Sequence, residues 1–389
     1  MAKIKLSHLY HSELTSGILL MLSVAAAVLV ANIGPWQQIY KNFVFYPVTL
    51  GYGAFIYNGP LIQIVNDALM TLFFLLIGLE LKFHLVRGEF QDKQTLILPG
   101  AAAVGGIVVP VLIYLWFNIN SPTTLKGWAI PIATDTAFML GILSLFGNFI
   151  STKLRAFIIG FSLIDDAIAL FILGVFYSKS ASLIAILISI MLTGLLCMLN
   201  RLQVTRSCYY LFIGIFLWIA MVESGIHGTL CGIVLALTIP VVKGEHINLS
   251  FNNLENVLRP IVYFAILPLF AFINSGVSFT TFSGNLLMSP LALGIILGLF
   301  VGKQIGIFLF AYAAVKLSYC SLPDDISWPR FYAIGILGGI GFTLSLFIGD
   351  LTFEVSEPNY IMRISVIIGS LLSAIFGTGF LIFLKKRAS

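Results

Sequence analysis

The chain has 389 residues, of which 59% are apolar and 10% charged, and carries a formal net charge of +5 at neutral pH. Together with a mean hydropathy of +1.04, this composition excludes a soluble globular protein and predicts an all-α polytopic membrane protein. No basic tract is longer than Lys385-Lys386-Arg387, so the positive surplus points to membrane topology and not to nucleic acid.

The first apolar run, 14–33, follows Lys3 and Lys5. It is long for a signal peptide and opens a whole series of such runs, which favours a retained span. About twelve spans are predicted, near 14–33, 61–85, 96–118, 126–146, 154–177, 181–200, 208–222, 225–241, 251–274, 291–315, 331–350 and 360–384. The longest connection, 34–60, contains VTLGYGAFIYNGP, whose alternation and turn residues predict a small hairpin over about 45–60. Cys197, Cys208, Cys231 and Cys320 lack CxxC spacing and read as packing residues.

Lysine and arginine counting sets the orientation. With the N-terminus inside, inner segments carry Lys3, Lys5, Lys82, Arg87, Lys93, Lys153, Arg155, Arg201, Arg206, Lys243, Lys316, Arg330 and the C-terminal triplet, while outer ones carry little beyond Lys41, Lys126 and Lys179. This bias predicts an even number of spans with both termini cytoplasmic.

Two segments do not read as ordinary spans. In WAIPIATDTAFMLGILSLF, Pro131 and the run Thr134-Asp135-Thr136 interrupt the apolar pattern; in FYAIGILGGIGFTLSLFIGD, Gly338, Gly339, Gly341 and Thr343 do so. They are the fourth and eleventh segments, each the middle member of a three-span group, over about 96–177 and 291–384. Paired interrupted segments of this kind predict inverted repeats with an ion site at the bilayer midplane. Two merely kinked, glycine-rich helices are the alternative.

The fifth span carries Asp165 and Asp166 side by side at its middle. Each charge at that depth costs roughly 2.5 to 3.5 kcal/mol even on lenient insertion scales, so the pair calls for a cavity, a cation or protons. Helical neighbours point about 100° apart, which allows the two carboxylates different partners. Carboxylate oxygens suit Na+ or Li+. Two adjacent buried carboxylates also hold protons readily, so cation and proton can displace one another. A hydrogen-bonded structural pair is the alternative.

Lys303 lies mid-span in GLFVGKQIGIFLF. It either neutralises the carbonyl ends of broken helices or pairs with a carboxylate, Asp165 being the preferred partner. Asp135, at the break of the fourth segment, is placed to offset the positive ends of half-helices, and Thr134 can lend an oxygen near the ion. Near the cytoplasmic ends, Glu80, Lys82, His84 and Arg87, with Glu255 and Arg259, read either as solvated helix ends or as a network that funnels cations and senses pH. His227, in SGIHGTLCG, is placed inside the eighth span as a packing histidine or a pH-sensing group.

Two other classes fit less well. An intramembrane aspartyl protease needs its carboxylates on different helices around a shared water, and adjacent Asp165 and Asp166 do not form such a dyad. A simple cation pore leaves the lone lysine and the paired breaks unexplained.

The motifs ATDTAFMLG, SLIDDAIAL, LIGLELK, SGIHGTL, GLFVGKQIGI and GILGGIGFTLSLFI, in their order and spacing, resemble the NhaA family of bacterial Na+/H+ antiporters over nearly the whole chain. The resemblance implies a transporter and not an enzyme, without a cofactor, in the inner membrane, with twelve spans of which the fourth and eleventh are interrupted and cross. It implies that Asp166 is the principal cation ligand and proton carrier, Asp165 its partner and gate, and Thr134 an auxiliary ligand. Asp135 and Lys303 would compensate the broken helix ends, and Glu80 and Glu255 would belong to a cytoplasmic pH-sensing region. The implied activity is electrogenic export of Na+ or Li+ against external protons, activated at alkaline pH, by a homodimer joined through the outer hairpin. The sequence departs from the family pattern at Gln304, where proline is usual, and at His84, Asn256 and Arg259. The first bears on the helix around Lys303 and the others on the pH set-point.

Overall fold

Apolar runs too long for a soluble core become helices in the computed structural model, which describes residues 2–52, 55–87, 93–177, 182–243, 246–247, 249–279, 284–323, 325–353 and 357–388. Lys179 and the hairpin residues 53–54 lie outside them. In chain order the main elements are α1 (Ala2–Asn32), α2 (Gly34–Val44), β1 (Pro47–Tyr52) and β2 (Phe55–Pro60), then α3 (Leu61–Arg87) and α4 (Lys93–Asn118). There follow α5 (Thr136–Ser144), α6 (Thr152–Phe176), α7 (Leu183–Arg201), α8 (Ser207–Glu223), α9 (Leu230–Thr238) and α10 (Leu249–Ser275). The last four are α11 (Pro290–Lys316), α12 (Trp328–Leu337), α13 (Phe342–Thr352) and α14 (Glu357–Ala388).

Among the described residues, ten helical segments are long and apolar enough to cross a membrane, against the twelve or so expected. The two that fall short are α8, with 17 residues, and α9, with nine. After α8 the chain turns at Gly225, whose φ of +78° suits glycine and stops the helix. His227 therefore lies in the turn before α9 and not inside a span as the sequence had suggested. Its Nε2 is 2.7 Å from the Tyr177 carbonyl.

The chain divides into two compact units, one of Met1–Gln38, Asp92–Ala169 and Ala271–Ser389, the other of Ile39–Gln91 and Leu170–Phe270. In the first, α4 and α11 meet backbone to backbone. A Cβ on Gly105 would collide with the Gly306 carbonyl, and one on Gly306 with the Gly105 carbonyl, so only glycine permits this approach. Asn118, at the end of α4, donates to the Pro290 carbonyl at the start of α11 (2.9 Å). Farther along, Arg363 of α14 holds Asp350 at the end of α13 (2.8 Å) and the Asn274 carbonyl (3.1 Å).

In the second unit, β1 and β2 pair antiparallel with Val48 opposite Gly59. Helix α3 contains a π-turn at Val65–Leu69, next to which the Thr71 hydroxyl donates to the Asp67 carbonyl (2.6 Å). Gly232 lets α9 approach α3 closely, since a Cβ there would strike the Thr71 carbonyl. Lys82 then caps the C-terminal end of α9 by donating to the carbonyls of Leu237 and Ile239 (2.6 and 2.5 Å). An ammonium at a helix C-terminus answers both the unpaired carbonyls and the negative end of the dipole.

Candidate functional site

Both irregular segments break where the sequence lacks helix-forming groups. Lys126–Ile132 winds as a 3-10 helix that includes Pro131, and Ala133 and Asp135 are extended before α5 begins. In the other segment α12 ends at Leu337 and α13 begins at Phe342, with Gly338 to Gly341 between them. The two breaks lie against each other, the Asp135 amide donating to the Ile340 carbonyl (2.6 Å).

Four broken helix ends leave backbone donors and acceptors without helical partners, and burial makes each expensive to leave unmade. Asp135 serves both N-terminal ends. Its Oδ1 accepts from the Phe138 amide of α5 (3.0 Å), and its Oδ2 accepts from the Thr343 amide and hydroxyl of α13 (3.1 and 2.7 Å). The Ser370 hydroxyl of α14 takes the Phe342 amide (3.2 Å). The carbonyl ends are met by hydroxyls: Thr134 donates to Gly338 (3.0 Å) and Ser345 to Ile130 (2.8 Å).

Beside these breaks sits the charged centre. Asp165 on α6 and Lys303 on α11 are wholly buried, and Asp166 nearly so. Lys303 Nζ lies 3.0 Å from Asp165 Oδ2, 3.2 Å from its Oδ1 and 2.9 Å from the Thr134 hydroxyl oxygen. The Phe161 ring covers it, with its centroid 5.9 Å away. Of the two roles the sequence left open for Lys303, its contacts are those of a partner to a carboxylate. Two carboxylates outnumber the one ammonium, so when both ionise in this low-dielectric setting the excess negative charge calls for a monovalent cation or a proton. Among the described residues no group of three or more His, Cys, Asp or Glu side chains forms a metal-ligating cluster.

Gln304, where the sequence departs from the family pattern, follows a π-turn at Gly298–Gly302. Its amide donates to the Phe300 carbonyl (2.6 Å) and accepts from the Tyr332 hydroxyl of α12 (2.8 Å), tying the helix of Lys303 to the first half of a broken helix.

Of the residues named as pH-sensing candidates, the structure brings three together in the second unit. Arg259 Nη2 is 3.0 Å from Glu80 Oε1 and 2.7 Å from Glu255 Oε1. His84 stands in the last turn of α3, and His227 has the separate Tyr177 contact already described. Sequence reading marked Thr343 only as part of a break and passed over Ser345, Ser370 and Tyr332. Their one available signal was a polar group inside a span, which serine and threonine give too often to single any out.

The Na+/H+ antiporter 1 family model matches residues 7–381. The Na(+)/H(+) antiporter NhaA of Rickettsia massiliae (strain Mtu5) is 56% identical over 382 residues, covering 97% of this chain and 94% of that protein. The Na(+)/H(+) antiporter NhaA 2 of Shewanella denitrificans is 44% identical, covering 95% of this chain and 93% of its own length. That of Proteus mirabilis is 41% identical, covering 94% of this chain and 93% of its own.

Proposed function

This chain belongs to the Na+/H+ antiporter 1 family, and on that premise we propose that it exports Na+, and Li+ with it, in electrogenic exchange for external protons, with Asp165 and Asp166 as the shared site. It is a multi-pass helical membrane protein, and its relatives are transporters rather than enzymes. One observation carries the assignment: two adjacent carboxylates are buried beside two helix breaks, and one of them, Asp165, is paired with a buried lysine.

In this reading internal Na+ displaces protons from the aspartate pair. Asp166 is the principal ligand and Thr134 an auxiliary one. A cation that engages Asp165 competes with Lys303 for its oxygens, and an ammonium stripped of its counter-charge in an apolar site gives up its proton. The loaded assembly then rocks to face outward, and external protons displace the cation. Asp135 keeps both half-helix N-terminal ends neutralised throughout. The Glu80, Glu255 and Arg259 cluster sets the alkaline activation, with His84 and His227 as further candidates. The lysine and arginine bias supports cytoplasmic termini in a bacterial inner membrane. The grouping of spans about the two breaks supports inverted repeats over about 96–177 and 291–384 whose broken helices cross. The β1–β2 hairpin is the proposed contact of a homodimer. No cofactor or nucleic acid enters the cycle.

The test is an imposed pH gradient in inside-out vesicles, challenged with Na+, Li+ and K+ across alkaline and neutral pH. Na+ and Li+ collapse the gradient, K+ does not, and Asp166→Asn abolishes the effect. Exchange that survives in Asp166→Asn overturns the site assignment, and a gradient that no cation moves overturns antiport.

A further inference from the structure

Ser162 lies on α6 one turn before the aspartate pair, and it is 1% exposed. Its hydroxyl oxygen is buried and meets no hydrogen-bond partner among the described residues. Serines inside apolar helices ordinarily return their hydroxyl to the carbonyl four residues back. In this protein Ser23, Ser189, Ser275 and Ser365 do so, bonding to Leu19, Ala185, Ala271 and Ile361. Ser162 does not make that bond to Ile158. A buried hydroxyl left unmade costs about 1 to 3 kcal/mol, a cost that needs a reason. Among the described residues Thr136 and Ser373 also hold hydroxyls without partners, but both flank the helix breaks, Ser373 lying where a Cβ on Gly339 would fall.

Helical geometry places Ser162 between the carboxylates. At about 100° per residue, Asp165 lies some 60° to one side of it and Asp166 some 40° to the other, about one turn along. Meanwhile the other hydroxyl at the site is engaged, since Thr134 donates to Gly338 and accepts from Lys303. Asp165 is held by the same lysine. A cation arriving while that ion pair stands would meet Asp166 with few other oxygens. Ser162 supplies one that has no competing bond to break.

We propose that Ser162 is a further ligand of the transported cation, its hydroxyl oxygen completing the coordination that Asp166 begins. The proposal rests on the antiport reading. A hydroxyl coordinates a hard cation through its lone pairs without changing protonation, so it favours Na+ or Li+ over the proton that competes for Asp166.

The experiment compares Ser162→Thr with Ser162→Val in proteoliposomes. The two side chains share a shape and differ in the hydroxyl, so a packing defect strikes both alike. The expected result is an apparent KM for Na+ that rises about tenfold in Ser162→Val and stays within about twofold of native in Ser162→Thr, with the maximal rate kept in both, tenfold corresponding to about 1.4 kcal/mol. Equal KM values in the two variants overturn the proposal. Na+-dependent thermal stabilisation of the detergent-purified proteins gives the same comparison without transport. If the native chain binds Na+ but exchanges none, the antiport reading fails and the binding ratio still decides the role of Ser162. If the native chain binds no Na+, both fall.

Discussion

Lys303 and Asp165 meet 3.0 Å apart with both side chains wholly buried. Such a pair contributes little net stability compared with apolar residues, yet removing one member strands the other, at about 3 to 5 kcal/mol. Lys303→Ala therefore lowers the thermal unfolding temperature markedly. The double variant Lys303→Ala with Asp165→Asn recovers much of the loss, because no unpaired charge remains. Melting curves of the purified proteins in detergent check both, and a double variant less stable than the single one contradicts the pairing.

Protons and Na+ compete for the same carboxylates in the proposed cycle, which fixes the direction of the pH dependence. As pH falls, the apparent KM for Na+ rises while the maximal rate at saturating Na+ changes less. Initial rates of gradient dissipation over a Na+ series at several pH values measure it. A KM that stays constant while only the maximal rate falls would assign the acid inhibition to another group.

Asp135 caps two half-helices at once. Loss of an N-cap costs about 0.5 to 2 kcal/mol each, so Asp135→Ala destabilises both α5 and α13 and Asp135→Asn does so less. Hydrogen exchange localises the effect. Amide protection at Phe138 and Thr343 falls together, and protection lost at only one of them contradicts the shared cap.

Arg259 holds Glu80 and Glu255 by a single nitrogen. Arg259→Ala removes the common counter-charge and displaces the midpoint of the pH–activity profile, while KM for Na+ at the optimum stays near native. A lowered maximal rate with an unmoved profile would make the cluster structural.

The α4–α11 contact gives the most severe substitution. Gly306→Ala and Gly105→Ala each drive a methyl into a backbone carbonyl across the interface, an atom that cannot swing aside as the end of a side chain can. Both variants lose folded yield, and whatever protein remains shows impaired exchange because α11 carries Lys303. Native-like yield and activity in either would contradict the contact.

Much of this could be read from residue order because hydrophobic length and interrupted polarity are local properties. The spans, the two broken segments and the buried Asp165-Asp166 pair all show within windows of twenty residues or so. The Asp165–Lys303 preference was reachable too, since a buried charge must find an opposite one. The eighth predicted span, 225–241, is a helix of only nine residues because Gly225 and Gly228 sit in an apolar run whose hydropathy hides the turn. Ser345, Ser370 and Tyr332 act across the fold, where pattern along the chain gives no distance. The Ser162 hydroxyl is legible only as a bond that its neighbours of the same type make and it does not.

The glycine contact between α4 and α11 also says where motion at the charged centre originates. Helices that touch along their backbones, with Phe310 and Ile307 of one seated against Gly105 and Gly106 of the other, hold each other closely in register. The Lys303 backbone is therefore anchored, and its ammonium leaves Asp165 by bond rotation along its own flexible stem. Rotamer changes of that kind are far faster than movements of whole helices. In the proposed cycle the handover between lysine and cation is then a rapid equilibrium that keeps pace with the ions, and turnover is timed by the larger rearrangement that follows.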